Sequence, residues 1–343
     1  MKFFSFFTQE LAIDLGTANT LIIQDGKVVV DEPSIVAVNR LTGDTIAVGK
    51  KAMQMHEKTH ENIKTIRPLK DGVIADFQAA ENMIKGLISM IGNRRKFFSH
   101  IKMVICIPSG ITEVEKRAVF DSADHVDSKE TYLIHEPMAA ALGIGLDVEE
   151  PIGNMIIDIG GGTTEIAVIA LSGIVCDQSI RIAGDEFTSD IMSYMKRQHN
   201  ILIGERTAEQ IKIHVGSALH ELEDEPEDFP VNGRDLMTGI PKQIKVSYGE
   251  IAHSLDKSIS KIEDAILKAL ETTPPELASD IYRTGLYLTG GGALLRGLDK
   301  RISQKTKLPV HIAEDPLRAV VRGTGIALKN TENFSFLIDR KSV

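Results

Sequence analysis

An aspartate at the end of an apolar run, three glycines and two threonines fill Ile156-Ile157-Asp158-Ile159-Gly160-Gly161-Gly162-Thr163-Thr164-Glu165-Ile166, and a second apolar run continues through Ile169. Each run is rich in β-branched residues and reads as a buried strand. Strand, glycine turn, strand brings backbone N–H groups close to an anion. The aspartate alone would repel a phosphate. A hydrated Mg²⁺ between the two resolves this, because Mg²⁺ keeps most of its waters and takes few carboxylates. The competing reading is a tight hairpin whose glycines only supply positive φ.

The same grammar occurs earlier, in Leu11-Ala12-Ile13-Asp14-Leu15-Gly16-Thr17-Ala18-Asn19-Thr20-Leu21-Ile22-Ile23. A repeated supersecondary unit implies two similar halves facing each other, and two such turns can grip one polyphosphate from both sides. A third cluster, Leu288-Thr289-Gly290-Gly291-Gly292-Ala293-Leu294-Leu295, follows another apolar strand and is expected to open an apolar helix. There a backbone can approach a flat ring or a phosphate closely.

These three stretches resemble the two phosphate loops and the adenosine loop of the actin fold, shared by actin, sugar kinases and heat-shock chaperone ATPases. Glu136-Pro137-Met138-Ala139-Ala140-Ala141-Leu142-Gly143 and Val320-Val321-Arg322-Gly323-Thr324-Gly325-Ile326-Ala327 resemble that fold's two connecting helices. From about Leu11 to Leu328 the chain is most similar to the rod shape-determining MreB family of bacterial actin homologues. Ile182-Ala183-Gly184-Asp185-Glu186, Ile203-Gly204-Glu205-Arg206-Thr207-Ala208-Glu209 and Thr273-Pro274-Pro275-Glu276-Leu277 support the match.

The resemblance implies an α/β fold of two duplicated, actin-like (ribonuclease H-like) halves around a nucleotide cleft, each with a smaller inserted subdomain. The implied division is a membrane-binding N-terminus over 1–10; subdomain IA over 11–32, 75–149 and 326–343; IB over 33–74; IIA over 150–183 and 247–325; and IIB over 184–246. The implied cofactors are ATP and Mg²⁺. Asp14 and Asp158 would hold the metal through water. Gly16, Thr17, Ala18 and Asn19, with Gly160, Gly161, Gly162 and Thr163, would cradle the phosphates. Glu136 resembles the family's water-orienting residue, with Thr164 its partner. Read from position alone, Glu136 is equally an acid favoured at a helix N-terminus. Glu209 and Lys212, three apart on one helix face, with Gln210 beside them, match residues that contact ribose and base. Gly290, Gly291, Gly292 and Ala293 would pack against the adenosine. Actin and the chaperone ATPases carry a lysine late in the first phosphate loop, where this chain has Asn19-Thr20. Less positive charge there implies slow hydrolysis, and the resemblance implies a Mg-dependent ATPase coupled to filament assembly. The implied partners are the chain itself in paired protofilaments, the inner face of the cytoplasmic membrane, and membrane proteins of the cell-wall elongation machinery. The implied role is organising wall synthesis and rod shape from the cytoplasmic side.

Composition sets outer bounds. The 343 residues suffice for two large cores or one doubled domain with insertions. A net charge of −9 argues against a nucleic-acid partner, which needs a basic face. Cys106 and Cys176 lie in apolar runs and read as small buried hydrophobes in a reducing compartment. No apolar run approaches the ~20 residues of a membrane-spanning helix.

The first ten residues hold four phenylalanines. At ~100° per residue Phe3, Phe4, Phe6 and Phe7 fall on one arc of a helix, with Lys2, Ser5, Thr8 and Gln9 opposite. That pattern reads as a membrane-surface helix or as a strand tucked onto the core. Phe97 and Phe98 follow the basic Arg94-Arg95-Lys96. They fold inward or, as the family resemblance implies, touch lipid. Elsewhere the signals are ordinary. An amphipathic helix is expected over Asp76–Ile91, a strand over Met103–Ile107, a capping box at Thr112 and Glu115, a helix over Thr207–Ser217 capped by Thr207 and Gln210, and a helix over Ile251–Leu270. Asn330–Val343 reads as a weakly patterned tail. Two rival functions use the same fold. A small-molecule kinase would need a sugar pocket and a base aimed at a hydroxyl. A chaperone-type ATPase would need a substrate domain after the second half.

Overall fold

The computed structural model describes residues 8–92, 100–126, 128–332, 334 and 338–340. Phe3, Phe4, Phe6, Phe7, Phe97 and Phe98 lie outside them.

Two large sheets repeat one topology. In the first, Thr8–Leu15, Asn19–Gln24 and Lys27–Pro33 form an antiparallel meander, and His100–Ile107 then Ser128–His135 add in parallel on the free side of Thr8–Leu15. In the second, Asn154–Ile159, Thr164–Ala170 and Gly173–Ile180 form the same meander, and Leu286–Thr289 then Val310–Ile312 add in parallel. The first sheet has one strand more. Ile338–Arg340 pairs antiparallel with Ser128–His135, so the expected tail is partly a sheet edge.

Strand alternation then sorts the side chains. Leu11, Ile13 and Leu15 point into the first half's own core, and Met155, Ile157 and Ile159 into the second's. Ala12 and Ile156 face a shared core between the sheets, built around the helices Glu136–Gly143 and Ala319–Lys329. Asp14 and Asp158, two residues on from Ala12 and Ile156, therefore sit on the inner faces.

The two helices cross with backbone against backbone. A Cβ on Gly143 would be driven into the carbonyl oxygen of Ala319, and one on Gly323 into that of Ala139. The crossing is as two-fold as the sheets, with each glycine four residues after the alanine that meets the other helix. Pro137 sits in the first turn of its helix, where no N–H is needed.

Insertions top both halves. Val36–Asn39, Thr45–Val48 and Ile63–Ile66 form one small sheet. Ile201–Leu202, Phe229–Asp235 and Pro241–Val246 form the other, beside the helices Gly184–His199 and Glu205–Val215. The Thr112–Glu115 capping box is formed. The expected helix over Ile251–Leu270 runs from Tyr248 to Thr272 behind a second box, Ser247 with Glu250. Among the described residues no helix is long and apolar enough to cross a membrane.

Two local expectations are corrected. The helix assigned to Thr207–Ser217 starts at Glu205, with Gly204 before it and no side-chain cap from its own segment. Thr207 lies inside its first turn. The Gly290 cluster opens a four-residue 3-10 helix, Gly291–Leu294, not an extended apolar helix.

Candidate functional site

A cavity of about 920 Å³ lies between the halves, lined by both aspartate turns and the third glycine cluster. The turns meet across it. A Cβ on Gly161 would lie 2.6 Å from that of Ala18, and one on Gly162 would lie 2.7 Å from Thr17 Oγ1. Only glycine permits that approach.

Each turn is pinned from behind. Ser34 N donates to Ala18 O at 2.9 Å, and Ser34 Oγ donates to Gly16 O at 2.6 Å. In the second turn Gly160 O and Gly161 O accept from Gly184 N and Asp185 N, at 3.1 and 2.7 Å, which opens the helix Gly184–His199. Neither Ser34 nor Asp185 was expected to act on these turns. Ser34 carries no local signal. Asp185 belongs to a stretch read only for its resemblance.

Asp14, Asp158 and Glu136 face the cavity together. Burial pushes the Asp14 carboxyl up from 3.8 to about 6, partly offset by a hydrogen bond from Cys106. Burial pushes Asp158 up to about 7, offset in part by Thr289. Glu136 is driven well above the usual carboxylate range by burial, then by the charges of Glu165, Asp158 and Asp14. Among the described residues, no lysine or arginine figures among the groups that shift these three carboxyls. The cluster's donors are all oxygen, which suits a hard ion. Among the described residues no three acids, histidines or cysteines converge as a closed metal cage. A hydrated Mg²⁺ fits such a site, with water and phosphate completing its shell.

Thr164 does not partner Glu136. It is fully buried and its hydroxyl donates to Ile182 O at 2.7 Å. The neighbouring Glu165 faces that side instead, because adjacent strand residues point opposite ways. Glu165 is fully buried too, and accepts from Ser109 N, Ser109 Oγ and Ser179 Oγ at 3.2, 2.6 and 2.6 Å.

On the second insertion, Glu209 and Lys212 reach the cavity from the helix Glu205–Val215. Lys212 Nζ donates to Gly184 O, Thr188 Oγ1 and Glu209 Oε2 at 2.9, 3.1 and 2.7 Å. Gln210, about 100° further round the helix, is exposed and off the cavity wall. Ala293 is likewise off the wall. It packs in the second half's core, while Gly290, Gly291 and Gly292 line the cavity. Gly16, Thr17, Ala18, Asn19, Gly160, Gly161, Gly162 and Thr163 all line it.

The insertions also meet. Glu205 Oε2 accepts from Arg67 Nη2 at 2.9 Å and lies 3.3 Å from His56 Nε2. Glu57 Oε1 accepts from Glu205 N at 3.2 Å. The helix carrying Glu209 and Lys212 is thus capped from the other half of the molecule. No local sequence signal could reveal a cap supplied from so far away.

Comparison with known proteins agrees with this architecture. The sequence profile of the family described as MreB/Mbl protein matches residues 8–335. The chain belongs to the MreB/Mbl family. It is 46% identical over 327 residues to the cell shape-determining protein Mbl of Bacillus subtilis, covering 95% of this chain and 97% of that one. It is 46% identical over 333 residues to the cell shape-determining protein MreB of Escherichia coli, covering 96% and 95%. The crystal structure of MreB5 of Spiroplasma citri bound to AMPPNP superposes with a TM-score of 0.89 at 41% identity, covering 95% of this chain and 97% of that one. The fold of this MreB/Mbl member is therefore the two-halved actin-like fold.

Proposed function

We propose that this MreB/Mbl member binds ATP with Mg²⁺ in the cleft, hydrolyses it slowly and polymerises into membrane-associated filaments. The carrying observation is the doubled aspartate–glycine turn, one from each half, converging on a single cavity. One such turn is a hairpin. Two facing each other across a carboxylate-rich cleft suit a polyphosphate and its cation. The family's MreB5 with AMPPNP supports the same ligand class.

Asp14 and Asp158 would hold the hydrated Mg²⁺, which supplies charge neutralisation at the phosphates. Glu136 would orient the attacking water. Glu209 and Lys212 would meet the ribose and base, and Gly290–Gly292 would receive the adenosine. The phenylalanines at 3, 4, 6, 7, 97 and 98 would place paired protofilaments on the inner face of the cytoplasmic membrane, near proteins of the wall-elongation machinery. There the filament would organise wall synthesis and maintain rod shape, consistent with the cell shape-determining relatives. The four-part division into IA, IB, IIA and IIB belongs to the same reading.

The test is negative-stain microscopy and pelleting of purified protein with MgATP, with and without anionic liposomes. Filaments that form with MgATP and bind vesicles are expected. No polymer and no nucleotide binding would refute the reading.

A further inference from the structure

The two cleft aspartates are each held by a donor on the neighbouring parallel strand. Cys106 lies directly across from Asp14, and Thr289 directly across from Asp158. Cys106 Sγ donates to Asp14 Oδ1 at 3.2 Å, and Thr289 Oγ1 donates to Asp158 Oδ1 at 2.8 Å. Both donors are buried. The duplication thus extends past the aspartates to the groups that orient them, though a thiol stands in one half where a hydroxyl stands in the other.

We propose that Cys106 and Thr289 are a matched pair of positioning residues, each locking one aspartate oxygen so that the other is presented to the hydrated cation. The proposal rests on the Mg²⁺–nucleotide reading above. A carboxylate's terminal torsion is soft, and a ligand acting through water depends on direction more than on reach. A hydrogen bond to one oxygen removes that freedom, as outer-shell partners do in metal sites generally. The halves are unequal, because a hydroxyl donates strongly and a thiol weakly. Thr289 also ties the cation side to the third glycine turn. Its neighbour Gly290 packs so closely that a Cβ there would lie 2.8 Å from Asp158 Oδ1.

The experiment uses the full chain with Mn²⁺ as the probe, read by electron paramagnetic resonance in a saturating non-hydrolysable ATP analogue. Nucleotide affinity is measured separately in EDTA. Thr289→Val is expected to weaken Mn²⁺ binding by about 10- to 100-fold, with metal-free nucleotide affinity unchanged, and Thr289→Ser to restore it. Cys106→Ala should weaken Mn²⁺ binding less, and Cys106→Ser should match or exceed wild type. Thr289→Val and Cys106→Ala chains that hold Mn²⁺ as tightly as wild type overturn the proposal. So does an equal loss of metal-free nucleotide affinity, which would mean damaged packing. If Thr289→Val does not fold, the order of Cys106→Ser over Cys106→Ala decides. A wild-type chain that binds nucleotide but no Mn²⁺ overturns the metal reading and the pair with it, and is told apart because the unaltered protein fails.

Discussion

Asp14, Asp158 and Glu136 face the cleft, and the buried Glu165 near Glu136 is answered by three donors. Asp14, Asp158 and Glu136 carry raised pKa values, which has a definite sign for stability. Below 3.8 the two aspartates are protonated both folded and unfolded, and nothing changes. Between 3.8 and about 6 for Asp14, or about 7 for Asp158, the folded chain keeps a proton that the unfolded chain has lost. Stability without cation therefore falls as pH rises through that window. Bound as proposed, Mg²⁺ with nucleotide would replace those protons, so it should raise the melting temperature more at pH 8 than at pH 5.5. Thermal unfolding with and without MgATP at both values checks this, and equal shifts refute it. Glu136 has its own test. Glu136→Ala should keep nucleotide binding and assembly but slow phosphate release by about 10²-fold or more, the scale of a lost general base. Normal release would leave Glu136 as a helix-start acid.

The elements that place these groups differ in how plainly the sequence shows them. The crossing of Glu136–Gly143 with Ala319–Lys329 leaves no room for an added side chain. Gly143 and Gly323 each face a carbonyl oxygen of the other helix's backbone, which no rotamer change can move. Gly323→Ala should destabilise the chain by about 3 kcal/mol or more, at the top of the usual overpacking cost. Urea unfolding measures this; a loss under about 1 kcal/mol would mean the helices part easily. Both helices were legible, as were the three turns and the Thr112 capping box, because apolar runs, glycines and cap spacing are local signals. Thr164 was misplaced because Thr164 and Glu165 differ only in strand parity at a turn. The helix start at Glu205 was missed because its cap, Glu57, comes from the other half. Cys106 read as a plain hydrophobe because its partner, Asp14, lies on a different strand. The edge strand Ile338–Arg340 has no pattern of its own and exists through pairing.

At the scale of the molecule, the halves join below at the helix crossing and above where the insertions touch. The upper joint mixes favourable and unfavourable terms. Arg67 and His56 share Glu205, and Glu57 caps its helix. Against that, Arg67 Nε is buried with no partner among the described residues, and Glu57 has a φ of 60°, in the left-handed region. A nucleotide that engaged Glu209 and Lys212 on the same helix, as proposed above, would be coupled to this joint. The Arg67–Glu205 pair is partly exposed, with side-chain exposures of 26% and 40%. It is therefore worth about 1 kcal/mol or less, which limits its effect on ligand release to about fivefold. Glu205→Gln should speed release of a fluorescent ATP analogue by up to that factor. Added salt should speed release from wild type by screening the pair, yet change the variant little. Swapping the charges, with Arg67→Glu and Glu205→Arg together, should bring release back towards wild type, whereas either reversal alone should not. Stopped-flow displacement at low and high salt measures all five chains. Release that is the same in each, and equally indifferent to salt, would mean that the upper joint plays no part in holding the nucleotide.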